Sequence, residues 1–348
     1  MNDLDPLDRQ ILAALLVNGR ASWTEISQLV GTSTSTVARR AQQLIADGLL
    51  CVTVAPHMEH SGPVDAFVVR LNCAPGSQLQ VAGRLAQNPD VRFITIVTGS
   101  HDIVFELIAS KRRALYTMLV DEVHRIPGVL RSQADLVMHT YKVSYDWSRQ
   151  LLTTDVGDRS AVYVQHRCEA GHLDAMDMDI LGILGVEGRA GFLSVAKRLG
   201  VTESTVRRRF DSMIERGCAA VASFAPPAAL GYEAEVLFWL AVEPGHLDEI
   251  AATLHRHPGV RLILATLGES SMLCEVIMPT TVDLHHFTSR TLGRIPGIRS
   301  WTADIQILNV KRGFLTTPWS RDRIDAALAG PDTTPTAQDG PRMASDVL

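Results

Sequence analysis

Apolar residues recur at helical spacing near the start of the chain and again near its middle. Leu4, Leu7, Ile11 and Leu15 lie three or four positions apart, which predicts an amphipathic helix over residues 4–17, and a similar run predicts a helix over 173–184. Residues 24–30 and 193–199 predict a second helix in each region, ending at Gly31 and at Gly200. A third apolar, basic helix follows each glycine. Helix, glycine turn and helix is the order of a helix-turn-helix motif.

Further along, the apolar spacing changes from helical to strand-like. A short strand at 52–54 is wing-like, and the pattern then predicts strand, helix, strand, strand, helix, strand, beginning at 67–71 and again at 236–242. This order places four strands in one antiparallel sheet with two helices on one face. The uncovered sheet face needs a partner, and the other half of the chain is the obvious one.

The two regions are copies of one module. A constant offset of 169 positions relates Leu4 to Leu173 and Pro75 to Pro244, and the same offset relates residues 19–21 to 188–190 and 126–128 to 295–297. One offset without gaps over this length indicates a tandem duplication. Because each copy is the size of a domain, the chain is expected to have pseudo-twofold symmetry rather than the form of a solenoid.

The predicted fold class is therefore α+β, a tandem repeat of a winged helix-turn-helix followed by a split βαββαβ (ferredoxin/ACT-like) regulatory domain. The first helix-turn-helix domain is expected at 1–55 and the first regulatory domain at 64–143, followed by a linker at 144–171. The second pair is expected at 172–224 and 233–311. Residues 316–348 are rich in Pro, Thr, Asp and Gly, which predicts a disordered tail with at most a short helix at 323–328.

The third helix of each copy has the residues that double-stranded DNA requires. Ser33 and Thr202 are expected to cap this helix and to belong to the DNA-binding surface, and Val37 and Val206 belong to the inward face of the helix. The outward residues predicted to contact base edges are Ser35, Thr36 and Arg39 in the first copy and Ser204, Thr205 and Arg208 in the second. Those predicted to contact phosphates are Arg40, Arg207 and Arg209.

Composition and charge narrow the possible functions. A net charge of −5 argues against indiscriminate coating of nucleic acid, although a specific binder keeps positive charge local to one helix. The five cysteines form no CxxC pair, and no cysteine or carboxylate joins His255, His257, His285 or His286 at ligand spacing, so we expect reduced thiols, no metal and no cofactor. The sequence has no Walker loop, nucleophile elbow or HExxH motif, which argues against an enzyme. Without a signal peptide or a membrane-spanning apolar run, the expected location is the cytoplasm.

These features together resemble the Lrp/AsnC family of bacterial transcription regulators, present here as a fused pair. The resemblance rests on LDxxDxxIL at Leu4 and at Leu173, on GRA at 19–21 and 188–190, on the glycine turn with its Arg-bearing helix, and on Leu-Gly-Tyr at 230–232. It implies a DNA-binding regulator with a small-molecule effector, usually an amino acid or a related metabolite. It also implies that one chain supplies what is normally a dimer, and that chains associate further into a homo-oligomer.

The same resemblance implies an effector site where regulatory domains meet, at the turn between the second and third strands of each domain. In the first copy this turn comprises Thr98, Gly99, Ser100, His101 and Asp102. Gly99 would let backbone N–H groups approach a carboxylate, and Asp102 would hold an ammonium group; the alternative is an ordinary hairpin turn. The second copy departs from this pattern, with Gly268, Glu269 and Ser270 followed by Ser271 in place of the aspartate.

Two other functions stay open. Siroheme decarboxylases resemble this architecture, but they would need basic and histidine residues around a pocket large enough for a tetrapyrrole, and the sequence shows no such pattern in the regulatory sheets. A metabolite-binding protein that has lost DNA binding is favoured by the acidic charge balance. The three consecutive arginines at 207–209 argue against that second alternative.

Overall fold

The computed structural model describes residues 4–56, 64–109, 115–143, 168 and 171–329. The first module begins with helices α1 (Pro6–Val17), α2 (Trp23–Val30) and α3 (Thr34–Ala46), followed by strand β1 (Cys51–Pro56). Its regulatory part consists of β2 (Asp65–Cys73), α4 (Gln78–Ala86), β3 (Val91–Thr98), β4 (Ile103–Ala109) and β5 (Val129–Lys142). A π-helical turn (Thr117–Glu122) and a 3-10 turn (Val123–Arg125) precede β5, at the end of the helix predicted there.

The second module repeats this order. Its first part has α5 (Ala175–Val186), α6 (Phe192–Leu199), α7 (Glu203–Glu215) and strand β6 (Ala219–Phe224). The regulatory part has β7 (Ala234–Val242), α8 (Leu247–His255), β8 (Val260–Leu267), β9 (Met272–Met278), α9 (Thr281–His286) and β10 (Ile298–Arg312). The chain then forms a short strand, β11 (Leu315–Thr316), and the helix α10 (Pro318–Ala329).

Both predicted helix-turn-helix motifs are present, and local chemistry explains their turns. Gly31 and Gly200 end α2 and α6 in the left-handed conformation, with φ of 70° and 68°. A side chain bearing Cβ adopts that conformation only at a cost, so glycine suits both turns. Ser22 starts α2 with a capping box, in which its Oγ accepts from the Glu25 amide and the Glu25 carboxylate accepts from the Ser22 amide.

The short strand predicted at 52–54 is part of β1, and it pairs with β6 of the second copy. β1 and β6 form an antiparallel ribbon whose register runs from Cys51 opposite Phe224 to Pro56 opposite Ala219. Val52 packs in the hydrophobic core of the first helix-turn-helix domain, whereas Val54 packs in the core of the second. Each strand of the ribbon therefore satisfies backbone hydrogen bonds with its copy and buries apolar side chains against both domains, a pairing that the sequence did not predict.

The regulatory halves close into one barrel. β3, β4, β2 and β5 are hydrogen-bonded in that order, β8, β9, β7 and β10 form the second four strands, and β5–β8 and β10–β3 pairs join the two sets. The predicted split arrangement is confirmed, and so is the expectation that each sheet covers the other. Residues of both halves meet inside the barrel, namely Val68, Val97, Val104, Leu237, Trp239, Leu264 and Leu273.

Two predictions concern the connecting and terminal segments. The predicted linker lies outside the described residues except for Cys168 and Gly171. The predicted tail needs correction, since residues 318–329 form α10, which packs Ile324 and Leu328 into the same core as α4. An apolar stripe on this helix explains the difference, because burying it offsets the ordering cost of a polar segment. Residues 330–348 lie outside the described part. No helix in the described ranges is long and apolar enough to cross a membrane.

Candidate DNA-binding surface and ligand sites

Helices α3 and α7, which we call the reading helices, begin with matching hydroxyl clusters. Ser33 Oγ accepts from the Thr36 amide at 3.1 Å and lies 3.0 Å from Ser35 Oγ and 2.8 Å from Thr36 Oγ1. Thr202, Ser204 and Thr205 repeat the arrangement, with distances of 3.2, 3.0 and 2.8 Å. Ser33 and Thr202 therefore act as N-caps as predicted, and Ser35 and Ser204 are exposed at the helix starts.

Three of the predicted arginines face solvent on these helices. Arg39 and Arg208 occupy the same position in the repeat, and both are exposed. Arg207 is exposed as well, and it pairs with Glu203 one turn earlier at 2.8 Å. Such a surface pair is weak and exchanges readily for another anion. The first copy has Ala38 at the position of Arg207, so the two reading surfaces differ by one cation.

Arg40 and Arg209, both predicted to contact phosphates, each pair with two aspartates of their own module. Arg40 lies 3.0 Å from Asp8 and 3.4 Å from Asp5 on α1. Arg209 lies 2.8 Å from both Asp174 and Asp177, which are the equivalent residues at the start of α5. Each arginine therefore braces its reading helix against the first helix of the same module, and the aspartates of the LDxxD motif are its partners.

A reciprocal contact, which we call the arginine clasp, joins the two helix-turn-helix domains. Arg20 donates to the carbonyls of Gly188 and Ala190, and Arg189 donates to those of Gly19 and Ala21. The Arg189 guanidinium also stacks 3.8 Å from the Trp23 ring centroid, and that of Arg20 lies 4.6 Å from the Phe192 centroid. Burial, followed by the charge of Arg20, lowers the pKa of Arg189 to about 10. The clasp is made by the two GRA motifs.

The turn predicted to bind the effector contacts the other half of the chain. Thr98 at the end of β3 pairs with Ile305 of β10. Gly99 has a φ of 139°, and a Cβ there would overlap the buried carboxylate of Asp304. That carboxylate accepts from the Ser100 amide at 3.2 Å and from Trp239 Nε1 at 2.8 Å, and it lies 3.6 Å from His101. The turn therefore lies at the junction of the regulatory halves.

Asp102 is engaged within its own domain. Its carboxylate accepts from the Cys73 amide at 2.8 Å and from the Gln78 side chain at 3.2 Å. Ser271, its counterpart, makes the matching contact with the Val242 amide at 3.3 Å. Asp102 thus fixes the end of β2 to the turn, and its contact with the ammonium group of an effector stays a prediction.

The second turn is built in the same way around another buried carboxylate. A Cβ at Gly268 would overlap Asp135, which pairs with the buried Arg70. Glu269 is exposed and accepts from Gln133 at 3.0 Å, while the Ser270 carbonyl accepts from Thr266 Oγ1 at 2.9 Å. Arg70 stands at the repeat position that corresponds to Trp239, and it pairs with Asp135 as Trp239 pairs with Asp304. The Arg70 guanidinium stacks 4.3 Å from the Trp239 ring centroid. The two turns therefore differ in charge although their backbones correspond.

A pocket of about 140 Å³ lies between the ribbon and one end of the barrel. Ala55, Ala222 and Phe224 line it from the ribbon, and apolar barrel residues line it from below. Its charged lining residues are paired, since Arg92 Nε lies 2.8 Å from Glu106 and Arg312 lies 2.7 Å from Glu275. This pocket could not be predicted from the sequence, because its lining residues come from both copies and are adjacent only after the barrel closes.

A buried ionic network continues behind this pocket. Glu275 and Glu235 share Arg312 and Arg261, and Glu275 also accepts from Gln306 at 2.9 Å. Burial opposes ionisation of Glu275, but the charges of Arg261 and Arg312 outweigh it and lower its pKa to about 2. For Glu235 burial outweighs the same arginines and raises the pKa. Two neighbouring carboxyl groups are therefore shifted in opposite directions.

Metal-ligating side chains also meet where the sequence predicted none. Cys168, His172 and Cys218 place one ligand atom each within 4.8 Å of one another. The spacing of Cys168 and His172 was the available signal. Cys218 lies far along the chain and follows α7, so only the folded second module brings the three together.

Comparison with known proteins agrees with this architecture. The AsnC-type helix-turn-helix domain matches residues 4–45 and 173–214, and the Lrp/AsnC ligand binding domain matches residues 66–147 and 235–315. An uncharacterized HTH-type transcriptional regulator of Pyrococcus furiosus is 28% identical over 145 residues, which cover 41% of this chain and 97% of that protein. The HTH-type transcriptional regulator FL11 of Pyrococcus horikoshii is 28% identical over 127 residues, covering 36% of this chain and 83% of that protein.

The relatives thus correspond to one copy, whereas a solved structure corresponds to both. The crystal structure of the siroheme decarboxylase NirDL superposes with a TM-score of 0.58, covering 93% of this chain and 98% of that one at 12% identity. At that identity the likeness concerns the fold alone. Since both kinds of family domain match twice and together span more than half of the sequence, the chain belongs to the Lrp/AsnC family of transcriptional regulators.

Proposed function

We propose that this protein binds a split DNA site in a sequence-specific manner, with α3 and α7 reading one half each. The single observation that supports this most is the repeated reading surface: the same hydroxyl cluster and an exposed arginine at the same position, Arg39 and Arg208. The ribbon and the arginine clasp hold the two domains together, so both helices are presented by one rigid unit. Two reading helices held in this way engage successive turns of the major groove on one face of the duplex.

The two halves of the site differ in sequence. Ala38 and Arg207 occupy equivalent positions, so α7 offers an additional contact for a base or a phosphate that α3 lacks. We retain Ser35, Thr36 and Arg39, with Ser204, Thr205 and Arg208, for base contact, and Arg207 for phosphate. Arg40 and Arg209 act indirectly, by fixing the orientation of the reading helices through the aspartates of α1 and α5.

Selection of bound sequences from a random duplex pool tests this function. We expect a split site with unlike halves, and Arg208→Ala should weaken its affinity by about 1 to 3 kcal/mol while relaxing preference at one position. Arg125→Ala is the matched control, because Arg125 is an exposed arginine outside the reading helices that pairs with Asp121. Recovery of no sequence preference, with binding lost at modest salt, would refute specific reading and favour a metabolite-binding protein that has lost DNA binding.

The effector is proposed to be a small metabolite, an amino acid or a related compound, that binds at the junction of the regulatory halves. Two kinds of position there contact both halves. One is the pair of turns at 98–102 and 268–270, and the other is the pocket beneath the ribbon. A ligand at either position would contact both regulatory halves and could favour one relative placement of the halves over another. It would change DNA affinity to the extent that it binds one of these two placements more tightly.

Two variants separate these positions. Ala222→Leu reduces the pocket, whereas Glu269→Ala removes an exposed acidic group from the second turn. Ligand-dependent changes in DNA affinity that are lost only in Ala222→Leu place the effector in the pocket, and loss only in Glu269→Ala places it at the turn. If none of the amino acids in a screen changes the DNA affinity of the unaltered protein, an amino acid effector is excluded.

The likeness in fold to siroheme decarboxylase NirDL makes a tetrapyrrole enzyme the second candidate. The lining of the pocket argues against it. A cavity of about 140 Å³ is close to the roughly 150 Å³ that accommodates one benzene ring, far below what a tetrapyrrole occupies. Among the described residues that line the pocket there are arginines but no histidine. An absorbance titration with siroheme decides the question, since a shifted spectrum and decarboxylated product would favour the enzyme.

A further inference from the structure

We propose that the second helix-turn-helix domain contains a site for a soft divalent cation such as Zn²⁺, formed by Cys168, His172 and Cys218. Their ligand atoms lie within 4.8 Å of one another, and Cys218 Sγ is 3.8 Å from His172 Nδ1. In a tetrahedral zinc site, bond lengths of about 2.3 Å to sulfur and 2.0 Å to nitrogen separate two such ligands by roughly 3.6 Å. Closing the widest separation of 4.8 Å to that distance takes about 1.2 Å, shared between two side chains.

The donor set selects the type of metal. Two thiolates and one imidazole suit Zn²⁺ and other soft ions, and they do not suit Mg²⁺ or Ca²⁺, which prefer oxygen ligands. Three protein ligands leave the fourth tetrahedral position for water or another donor. Cys168 is 5% exposed and Cys218 is fully buried, whereas His172 is partly exposed. Metal therefore enters from the histidine side.

The position of the cluster indicates what the metal does. His172 lies in the segment that leads into α5, and Cys218 lies between α7 and β6. Arg216 already donates to the His172 carbonyl at 3.3 Å, so the two segments are in contact before metal binds. Metal coordination ties the entrance of the domain to the end of its reading helix, and that link stabilises the folded domain.

The site is specific to one half of the chain. Under the repeat offset, Leu49 stands at the position of Cys218 and Asp3 at that of His172, so the first module has no equivalent ligand set. The metal therefore acts on α7 and leaves α3 unchanged. Binding to the half-site that α7 reads becomes metal-dependent, while binding to the other half-site does not.

A cobalt titration of the reduced, chelator-treated full-length chain tests this proposal. We expect one Co²⁺ per chain with thiolate-to-cobalt charge-transfer absorption, displaced by Zn²⁺. His172→Gln should abolish the charge-transfer absorption, and because residue 172 is partly exposed this change leaves the domain core intact. Cys168→Ser should also abolish the absorption. Cys274→Ser is the control, because it removes a buried thiol of the barrel core and should leave the titration unchanged.

A second readout separates coordination from misfolding. The thermal unfolding midpoint should rise with Zn²⁺ in the unaltered chain and stay constant in His172→Gln. Absence of thiolate absorption in the unaltered chain overturns the proposal, and so does equal absorption in the unaltered chain and in His172→Gln. A disulfide between Cys168 and Cys218 that forms in air, with no cobalt bound after reduction, overturns it in favour of a redox pair. These outcomes do not depend on whether DNA is bound.

Discussion

Removal of one arm of the arginine clasp should loosen the two helix-turn-helix domains from each other. Arg189→Ala deletes the hydrogen bonds to the carbonyls of Gly19 and Ala21 and the stacking on Trp23. Arg20 and the ribbon stay in place, so the domains remain connected but less firmly.

The size of the effect follows from these contacts. A hydrogen bond from a charged donor contributes about 1.5 to 3 kcal/mol, and solvent near this partly exposed side chain reduces each to roughly 1 kcal/mol. A cation–π contact adds about 0.5 to 1 kcal/mol. The buried carbonyl of Gly19 loses its donor, which adds to the cost. Together these terms predict a decrease of about 2 to 4 kcal/mol in the free energy of unfolding.

Urea unfolding at neutral pH measures this decrease. Arg198→Ala is the matched control, because Arg198 pairs with Glu187 on the surface of the same domain at 3.0 Å and should change the free energy by less than about 0.5 kcal/mol. A double-mutant cycle of Arg189→Ala with Trp23→Leu should give a coupling of about 1 kcal/mol. If Arg189→Ala is as stable as the control, this arm of the clasp contributes nothing to the free energy of unfolding.

Three further outcomes are expected. Arg40→Ala should lower the thermal stability of the first module, whereas Arg39→Ala should leave it unchanged and weaken DNA binding; the reverse result in calorimetry and binding assays would contradict the brace between α3 and α1. For Glu275, the folded pKa of about 2 lies below the unfolded value of 4.5, so its contribution of about 3 kcal/mol is present above pH 4.5 and lost as the pH falls towards 2. Glu275→Gln should remove that contribution at pH 7. Glu235→Gln should cost little stability or increase it, because the pKa of Glu235 is raised in the folded protein, and whatever this carboxyl group contributes to stability is lost as the pH rises through that folded pKa. Equal losses of stability for the two variants in pH-dependent unfolding would refute the opposite pKa shifts. Gly99→Ala should destabilise the turn by about 1 to 3 kcal/mol, through the overlap with Asp304 and the positive φ, and unchanged thermal unfolding would count against that contact.

Local pattern and the repeat were sufficient to predict most of the fold. The periodicity of apolar residues predicts the helices and strands, and the constant offset predicts two equivalent halves that cover each other. The ribbon could not be predicted in this way, because strand pairing between β1 and β6 depends on contacts across more than 160 positions. The sequence shows that residues 52–54 are β-branched and suited to a strand, but not which strand they pair with.

The candidate sites were predictable only in part. The caps at Ser33 and Thr202 follow from residue type and position, and the structure agrees with them. Arg39 and Arg40 are adjacent and chemically identical in the sequence, yet only Arg40 lies within reach of Asp5 and Asp8. The partners of an arginine depend on the helix that packs beside it, so the difference between a reading residue and a brace emerges only from tertiary structure.

Joining both halves in one polypeptide also changes how the protein responds to its own concentration. The strand pairs β5–β8 and β10–β3, which close the barrel, form within a single chain. Two separate chains would need to meet before both reading helices were available, and dilution would separate them. Here the second reading helix is supplied intramolecularly, at an effective concentration that does not change with expression level. On the proposed split site, the occupancy by one chain therefore rises in simple proportion to the amount of protein when that amount is small.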